Sequence, residues 1–507
     1  MSSATRQTSF LDELRAHAKS RPAAPAIRDG SGNLSYQELI ERIEDRAGQL
    51  RRSGIRDGDR VAIIADNSAD YLITAFAIWD AGAVLVTVYP SSGESDLAHC
   101  LDSSAPALVL AESRLLETVS VIYAGRGRVA DIHQPLTGEP ACPRVDDTTL
   151  VPDDLALICY TSGSTNRPKA VMQLHRGLLA AAREFGRAWH VSPTDRTIVS
   201  LPMAWAFGLV TTSMTTLLAG GTVLPFARTR PEQIVDAISN DRATFLAGVT
   251  TMFAKLVAHL RELGEERDFS SLRLCVSGGE PRNERLFDEW RMYTGCHVYD
   301  NLAASECFPV VTSDPVEDPP PPPGSAGKVV SGAAMRVVAS DGSEVPPGSR
   351  GEALWRAPAM FAGYWRDTKA TAAALTPDGW YRTQDVVRVD DDGYVYVEGR
   401  ISDMIIRGGS NVSPSEVENA LTEHPAVAEV AVVGPLHGVY GQTVTAVVVP
   451  AAGVTAQPVE LDRFCRSRLA GYKVPSAFVM VDGLPQNATG KVDRRQVLID
   501  LQTHGVA

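Results

Sequence analysis

The chain is predicted to be an α/β protein. A large N-terminal domain of layered α/β sheets carries a β-rich subdomain, and a small α+β C-terminal domain follows. Three observations predict this. Between about residues 25 and 310, short apolar runs alternate with amphipathic stretches, the pattern of parallel strands joined by helices. After the proline run at 319–323, strand-like segments dominate. Beyond residue 402, a helix, two strands, a helix and a strand fit into about a hundred residues, an ordinary domain size.

Each element has its own reason. Tyr36 to Arg52 and Pro231 to Ser239 place apolar residues on one helical face. Arg60 to Ala65, Ala107 to Ala111, Leu155 to Cys159 and Leu272 to Val276 are apolar runs of strand length, read as buried strands. Strands ending in Gly- or Ser-rich turns, such as Ser277-Gly278-Gly279-Glu280-Pro281, put ligands at the carboxyl ends of a sheet. The proline run reads as a loop into the β-rich part. There Met335 to Ala339, Glu352 to Trp355 and Tyr394 to Val397 are strands. The main boundary falls near 400–402. Past it come a helix at Pro414 to Leu421 and strands at Val427 to Val433 and Val444 to Val449. A helix at Val459 to Leu469 and a strand at Ala477 to Val481 complete the domain.

Composition narrows the function. The 507 residues are too many for one core, and 44% hydrophobic with 21% charged content is ordinary for a globular protein. A net charge of −13 argues against a non-specific nucleic-acid binder but leaves room for anionic small substrates at a local positive site. No apolar run reaches the roughly 18 residues of a membrane span, and no signal-peptide core opens the chain, so a cytoplasmic protein is expected. Seven scattered cysteines without a CxxC pair suggest neither a disulfide framework nor a structural zinc.

The densest chemistry lies in Tyr160-Thr161-Ser162-Gly163-Ser164-Thr165-Asn166-Arg167-Pro168-Lys169. Hydroxyls and backbone N–H groups can cradle a polyphosphate whose charge Arg167 and Lys169 offset. Pro168 stands where a Walker loop has glycine, so that motif is excluded. Further along come Leu302-Ala303-Ala304-Ser305-Glu306, Tyr381-Arg382-Thr383-Gln384-Asp385, the segment Gly399 to Val412, and Pro485 to Arg494 around Gly490-Lys491. In this order the motifs resemble the acyl-adenylate-forming superfamily of acyl-CoA synthetases, peptide-synthetase adenylation domains and luciferases. The resemblance covers nearly the whole chain and is greatest to a free-standing carboxylate–CoA ligase.

The resemblance implies a role for each motif. Thr161, Ser162, Gly163, Ser164, Thr165 and Lys169 would handle the ATP phosphates. Gly279, Glu280 and Pro281 would flank the adenine, with Asp300, Asn301 and Leu302 also at the nucleotide. Ser305 would contact the α-phosphate and Glu306 would help hold Mg²⁺. Asp385, with Arg400 nearby, would bind the ribose diol, two carboxylate oxygens matching two hydroxyls. Lys491 would bridge the substrate carboxylate and the α-phosphate, where a cation offsets gathered negative charge. Residues 1–400 would form the adenylate-forming domain and 403–507 a mobile one turning about Ser402. Gly408 and Gly409 would then line the thiol channel, with Lys473 near a CoA phosphate.

Several positions depart from the family pattern. Asn166 and Ala170 replace loop glycines, Leu302-Ala303 replaces Tyr-Gly, Gln384 replaces the glycine before the ribose Asp, and Ala204-Trp205 replaces Phe-His. The resemblance implies that peptide-synthetase adenylation domains place an Asp near 204–205 to pair with the substrate amine; with Ala204 and Trp205 there a buried ammonium would lack a partner, so an α-amino acid is disfavoured. Trp205, Phe207, Gly208, Val249, Thr250, Ala303 and Ala304 form the expected acyl pocket, suited to a bulky apolar or aryl acid. No carrier domain follows Lys491, which favours CoA as acceptor. The expected reaction is carboxylic acid plus ATP to acyl-AMP and pyrophosphate, then acyl-CoA and AMP. Three alternatives stay open: thioesterification of acyl-AMP supplied by an upstream adenylating enzyme, acyl loading of a carrier protein, and a non-catalytic adenylate-binding protein. A homodimer also stays open.

Overall fold

The computed structural model describes residues 9–30, 32–136, 154–161, 167–263, 267–318, 320–437, 441–451, 453–486 and 491–503. Ser162, Gly163, Ser164, Thr165, Asn166 and Gly490 therefore lie outside the described residues.

Up to residue 400 the described chain folds into three sheets. The ten-stranded sheet carries the parallel run Phe245–Gly248, Leu274–Gly278, Val298–Ala304, in register through Gly248 with Ser277 and Gly278 with Asn301. Cys307–Thr312 then turns back antiparallel on Val298–Ala304. The seven-stranded sheet contains Arg60–Ile64, Val84–Thr87, Leu108–Ala111 and the hairpin Leu155–Thr161 with Lys169–Leu174. Helix Ala69–Asp80, packed between these two sheets, is apolar nearly all round: ten of its twelve residues are buried, as a sandwiched helix requires. One continuous core joins both sheets. The third sheet is an antiparallel meander of Ala334–Val338, Arg350–Arg356, Tyr381–Val389 and Val395–Arg400.

Past residue 400 the chain builds a second, smaller core. Val427–Val433, Thr445–Pro450 and Ala477–Met480 form a three-stranded sheet against helices Pro414–Thr422 and Pro458–Arg466. A short sheet beside it includes the hairpin Ile405–Arg407 and Ser410–Val412. The expected α/β class with a small α+β part is what the structure shows.

Where the sequence and structure differ, local physics explains it. Tyr36–Arg52 begins where expected because Ser35 and Glu38 form a reciprocal capping box. Pro231–Ser239 begins on its proline. The expected strand from Leu272 instead starts at Leu274, where parallel pairing with Phe245 begins. The expected helix to Leu469 ends at Arg466. A helix at Arg494–Thr503 was not anticipated, nor was the π-helix at Phe207–Met214, whose eight residues are all buried and show no amphipathic face. No helix among the described residues is long and apolar enough to cross a membrane. The six described cysteines are buried free thiols.

Candidate active site

The site sits where the parallel strands end. After Leu274–Gly278 the chain turns at Gly279, whose φ of 81° suits glycine. Glu280 then folds back onto the start of helix Thr250–Glu262, where its carboxylate accepts the Thr251 N–H at 2.8 Å and the Thr251 hydroxyl at 3.2 Å. A carboxylate is stabilised at a helix N-terminus by the exposed N–H dipoles. Burial nevertheless pushes the Glu280 carboxyl above its ordinary range, against the pull of Thr251 and Lys491. The Thr250 hydroxyl donates to Pro281 O at 2.9 Å, so Thr250 staples this turn instead of lining the acyl cleft. Val249 is buried at the N-cap of the same helix. Asp300, one strand over, faces Arg282 at 3.5 Å, and burial pushes its carboxyl up to about 7.

Ser305 and Glu306 form the turn between Val298–Ala304 and Cys307–Thr312. Glu306 is buried and accepts the Tyr364 hydroxyl at 2.8 Å. Its carboxyl is raised by burial and lowered by Tyr364, Arg400 and Lys169. The Lys169 ammonium lies 5.1 Å from the centre of the Tyr364 ring. Thus Glu306 and Lys169, far apart in sequence, bracket one tyrosine. Gln173 fixes the turn by donating to Ser305 O at 2.7 Å.

Asp385 and Arg400 are cross-strand partners, and Arg400 Nε donates to Asp385 Oδ1 at 2.7 Å. Asp385 is 5% exposed, and burial raises its carboxyl while Arg400 opposes the rise. Gln384, just before it, holds a left-handed φ of 62°. The glycine pattern that Gln384 breaks therefore reflects a real backbone demand.

Lys491 reaches this site from the C-terminal part of the chain. Its Nζ lies 4.8 Å from the centre of the Trp205 ring, a cation–π contact. A Cβ added to Gly279 would come within 2.7 Å of that Nζ, so the glycine makes room for the ammonium. Burial pushes the ammonium pKa down to about 8; Arg400 adds to the fall, and Glu280 and Asp385 oppose it.

Beneath Trp205 an apolar cleft is lined by Phe207, Ala303, Ala304 and Phe308, together with Ala206, Thr211, Gly279, Asn301 and Ser305. None of these lining residues carries a charge. Asn301 was expected at the nucleotide and here lines the cleft; Thr211 was missed, because nothing sets it apart from the hydroxyls of Thr212 and Ser213 beside it. Leu302 is partly buried between them on the same strand. Gly208 packs under the cleft against Pro202 and Leu201 carbonyls. The remaining predicted residues lie away from it. Gly408 and Gly409, at φ 56° and 82°, turn the Ile405–Val412 hairpin. Ser402 sits in the short 3₁₀ turn Ile401–Asp403, and Lys473 is engaged by Glu416. Tyr364, whose hydroxyl donates to Glu306, was not foreseen, since a lone tyrosine has no motif.

Comparison with known proteins decides the family. The sequence pattern described as "AMP-binding enzyme" matches residues 14–365, and that described as "AMP-binding enzyme C-terminal domain" matches 416–491. The chain belongs to the AMP-binding enzymes. Among these relatives, a feruloyl-CoA synthase of Amycolatopsis is 36% identical over 95% of this chain and 96% of that protein. An indoleacetate–CoA ligase of Aromatoleum aromaticum is 34% identical over 95% and 96%. The ATP-bound crystal structure of MatB from Rhodopseudomonas palustris superposes with a TM-score of 0.86 at 29% identity, covering 98% of this chain and 99% of that one. This AMP-binding enzyme thus shares both its sequence pattern and its architecture with ATP- and CoA-using acid–thiol ligases.

Proposed function

We infer that this carboxylate–CoA ligase acts on an aryl or bulky apolar carboxylic acid in two steps. A substrate carboxylate oxygen attacks the α-phosphorus of ATP, forming acyl-AMP as pyrophosphate leaves. The CoA thiol then attacks the acyl carbon, and AMP leaves with the bond's electron pair. The observation that carries this reading is Lys491 seated over Trp205, at the junction of the uncharged cleft and the Glu280 turn.

Placement supports each role. Lys491 offsets negative charge where carboxylate meets phosphate. The buried Asp385 presents carboxylate oxygens to the ribose diol, held in place by Arg400. Lys169 and the loop 161–165 neutralise and cradle the outer phosphates. Glu306 fits a hard cation: it is a buried carboxylate with Oε1 already fixed by Tyr364, leaving Oε2 as an oxygen donor. Mg²⁺ bound there would draw charge from the phosphates during transfer. The uncharged cleft wall supports a non-amino acid, and two relatives are named for feruloyl and indoleacetate, both aryl groups.

Two sequence departures fit this two-step reading. Ala170 lies in the regular strand Lys169–Leu174, paired with Tyr160, where alanine needs no special backbone freedom. Gln384 adopts the backbone shape that a glycine would. Incubation with ATP, CoA and a panel of aryl acids should release AMP and pyrophosphate in equal amounts, only when acid is present. Release of neither product with any acid would refute the reading.

A further inference from the structure

The cleft under Trp205 is apolar in its walls but not in its floor. Trp205 and Phe207 meet edge to face, ring centres 5.3 Å apart, and Phe308, Ala303 and Ala304 complete the apolar lining. Within it lie two neutral polar side chains from different elements. Asn301, on Val298–Ala304, is 6% exposed, and its buried Oδ1 has no hydrogen-bond partner among the described residues. Thr211, in the middle of the π-helix Phe207–Met214, is 3% exposed.

The contrast between Thr211 and its neighbours is informative. Thr212 and Ser213 each donate their hydroxyl to Gly208 O at 2.7 Å, and Thr215 donates to Val210 O at 3.1 Å. The Thr211 hydroxyl makes no such bond to another described residue. A buried polar group left without a partner is costly. Asn301 Oδ1 is such a group, and with the unengaged Thr211 hydroxyl on the same cleft it marks a place where a ligand supplies the missing bonds.

Resting on the aryl-acid reading above, we propose that Asn301 and Thr211 are specificity-determining residues that select aryl acids bearing a phenolic hydroxyl. A phenol matches both groups at once, donating its proton to Asn301 Oδ1 while its oxygen accepts the Thr211 hydroxyl proton. The flat ring lies between Phe207, Phe308 and the two alanines. The cleft as it stands is narrow, about 30 Å³, so a ring enters only as the lining moves apart. A site built to bond a hydroxyl rejects the analogue lacking it far more strongly than an apolar pocket sorts methylenes.

The test compares matched acids on the wild-type enzyme and on Asn301→Leu and Thr211→Val. The acids are 4-hydroxycinnamic against cinnamic and 3- and 4-hydroxybenzoic against benzoic, with acid-dependent pyrophosphate release as readout. The wild type should favour at least one hydroxylated member of a pair by more than about tenfold in kcat/KM. Asn301→Leu should bring that ratio to within about threefold, and Thr211→Val should lower it partway. A purely structural defect would lower both members of a pair equally and leave the ratio intact. The wild-type ratio is read independently of either variant's folding. Aryl acids ligated without preference for the hydroxyl, or a ratio that survives Asn301→Leu, would overturn the proposal and leave the ligase reading standing. Turnover of alkanoic acids alone would overturn both this proposal and the aryl reading.

Discussion

On the proposed mechanism Lys491 is the cation where carboxylate meets phosphate, and its surroundings set when it can act. Its ammonium is pushed down to about 8 by burial and by Arg400. Only the protonated form offsets the charge of carboxylate and phosphate. As pH rises through about 8 the free enzyme loses that proton, so kcat/KM for adenylation should fall by about tenfold per pH unit above it. Thioesterification of synthetic acyl-AMP should show no such falling limb, because it does not use the ammonium. Stopped assays of both half-reactions between pH 6.5 and 9.5 check this; a parallel decline in both would remove Lys491 from its assigned step. The motif around Lys491 was legible in the sequence. Its contact with Trp205 was not, because nothing in local pattern says which distant ring a lysine will meet. For the same reason Asn301 was readable as a site residue, while its place in the cleft needed the strand register that pairs it with Gly278.

At the scale of elements, what was legible depended on local signals. The bounds of Tyr36–Arg52 and Pro231–Ser239 follow from their caps and starting proline. Buried strands showed as short apolar runs, though their ends are set by neighbours. The π-helix Phe207–Met214 stayed hidden because all eight residues are buried and no polar face breaks the run. That helix depends on Gly208. A Cβ there would lie 2.4 Å from Pro202 O and 2.6 Å from Leu201 O, both backbone atoms that cannot simply rotate away. Gly208→Ala should therefore destabilise the protein by about 1–3 kcal/mol, the usual cost of overpacking. Thermal unfolding would register it as a lowered Tm. An unchanged Tm would mean that the helix start tolerates a shift the packing argues against.

At the scale of the whole molecule, two cores divide the work. The larger core holds the cleft, the Glu280 turn, Glu306 and Asp385; the smaller brings Lys491. The smaller part also contacts the larger where Arg285 donates to His424 O at 3.3 Å. On the proposed reading Lys491 is placed for adenylation, while Gly408 and Gly409 turn a separate hairpin of the C-terminal part. The ordered motifs implied such a division, and the contact of Lys491 with Trp205 supports reading this arrangement as the one set for adenylation. Lys491→Ala separates the two halves most directly. Pyrophosphate exchange with a good aryl acid should drop by at least about 10²-fold, as for loss of a group that stabilises transition-state charge. Acyl-CoA formation from synthetic acyl-AMP and CoA should stay within a few-fold of the wild type. Equal loss in both assays, or full exchange without the lysine, would contradict the account.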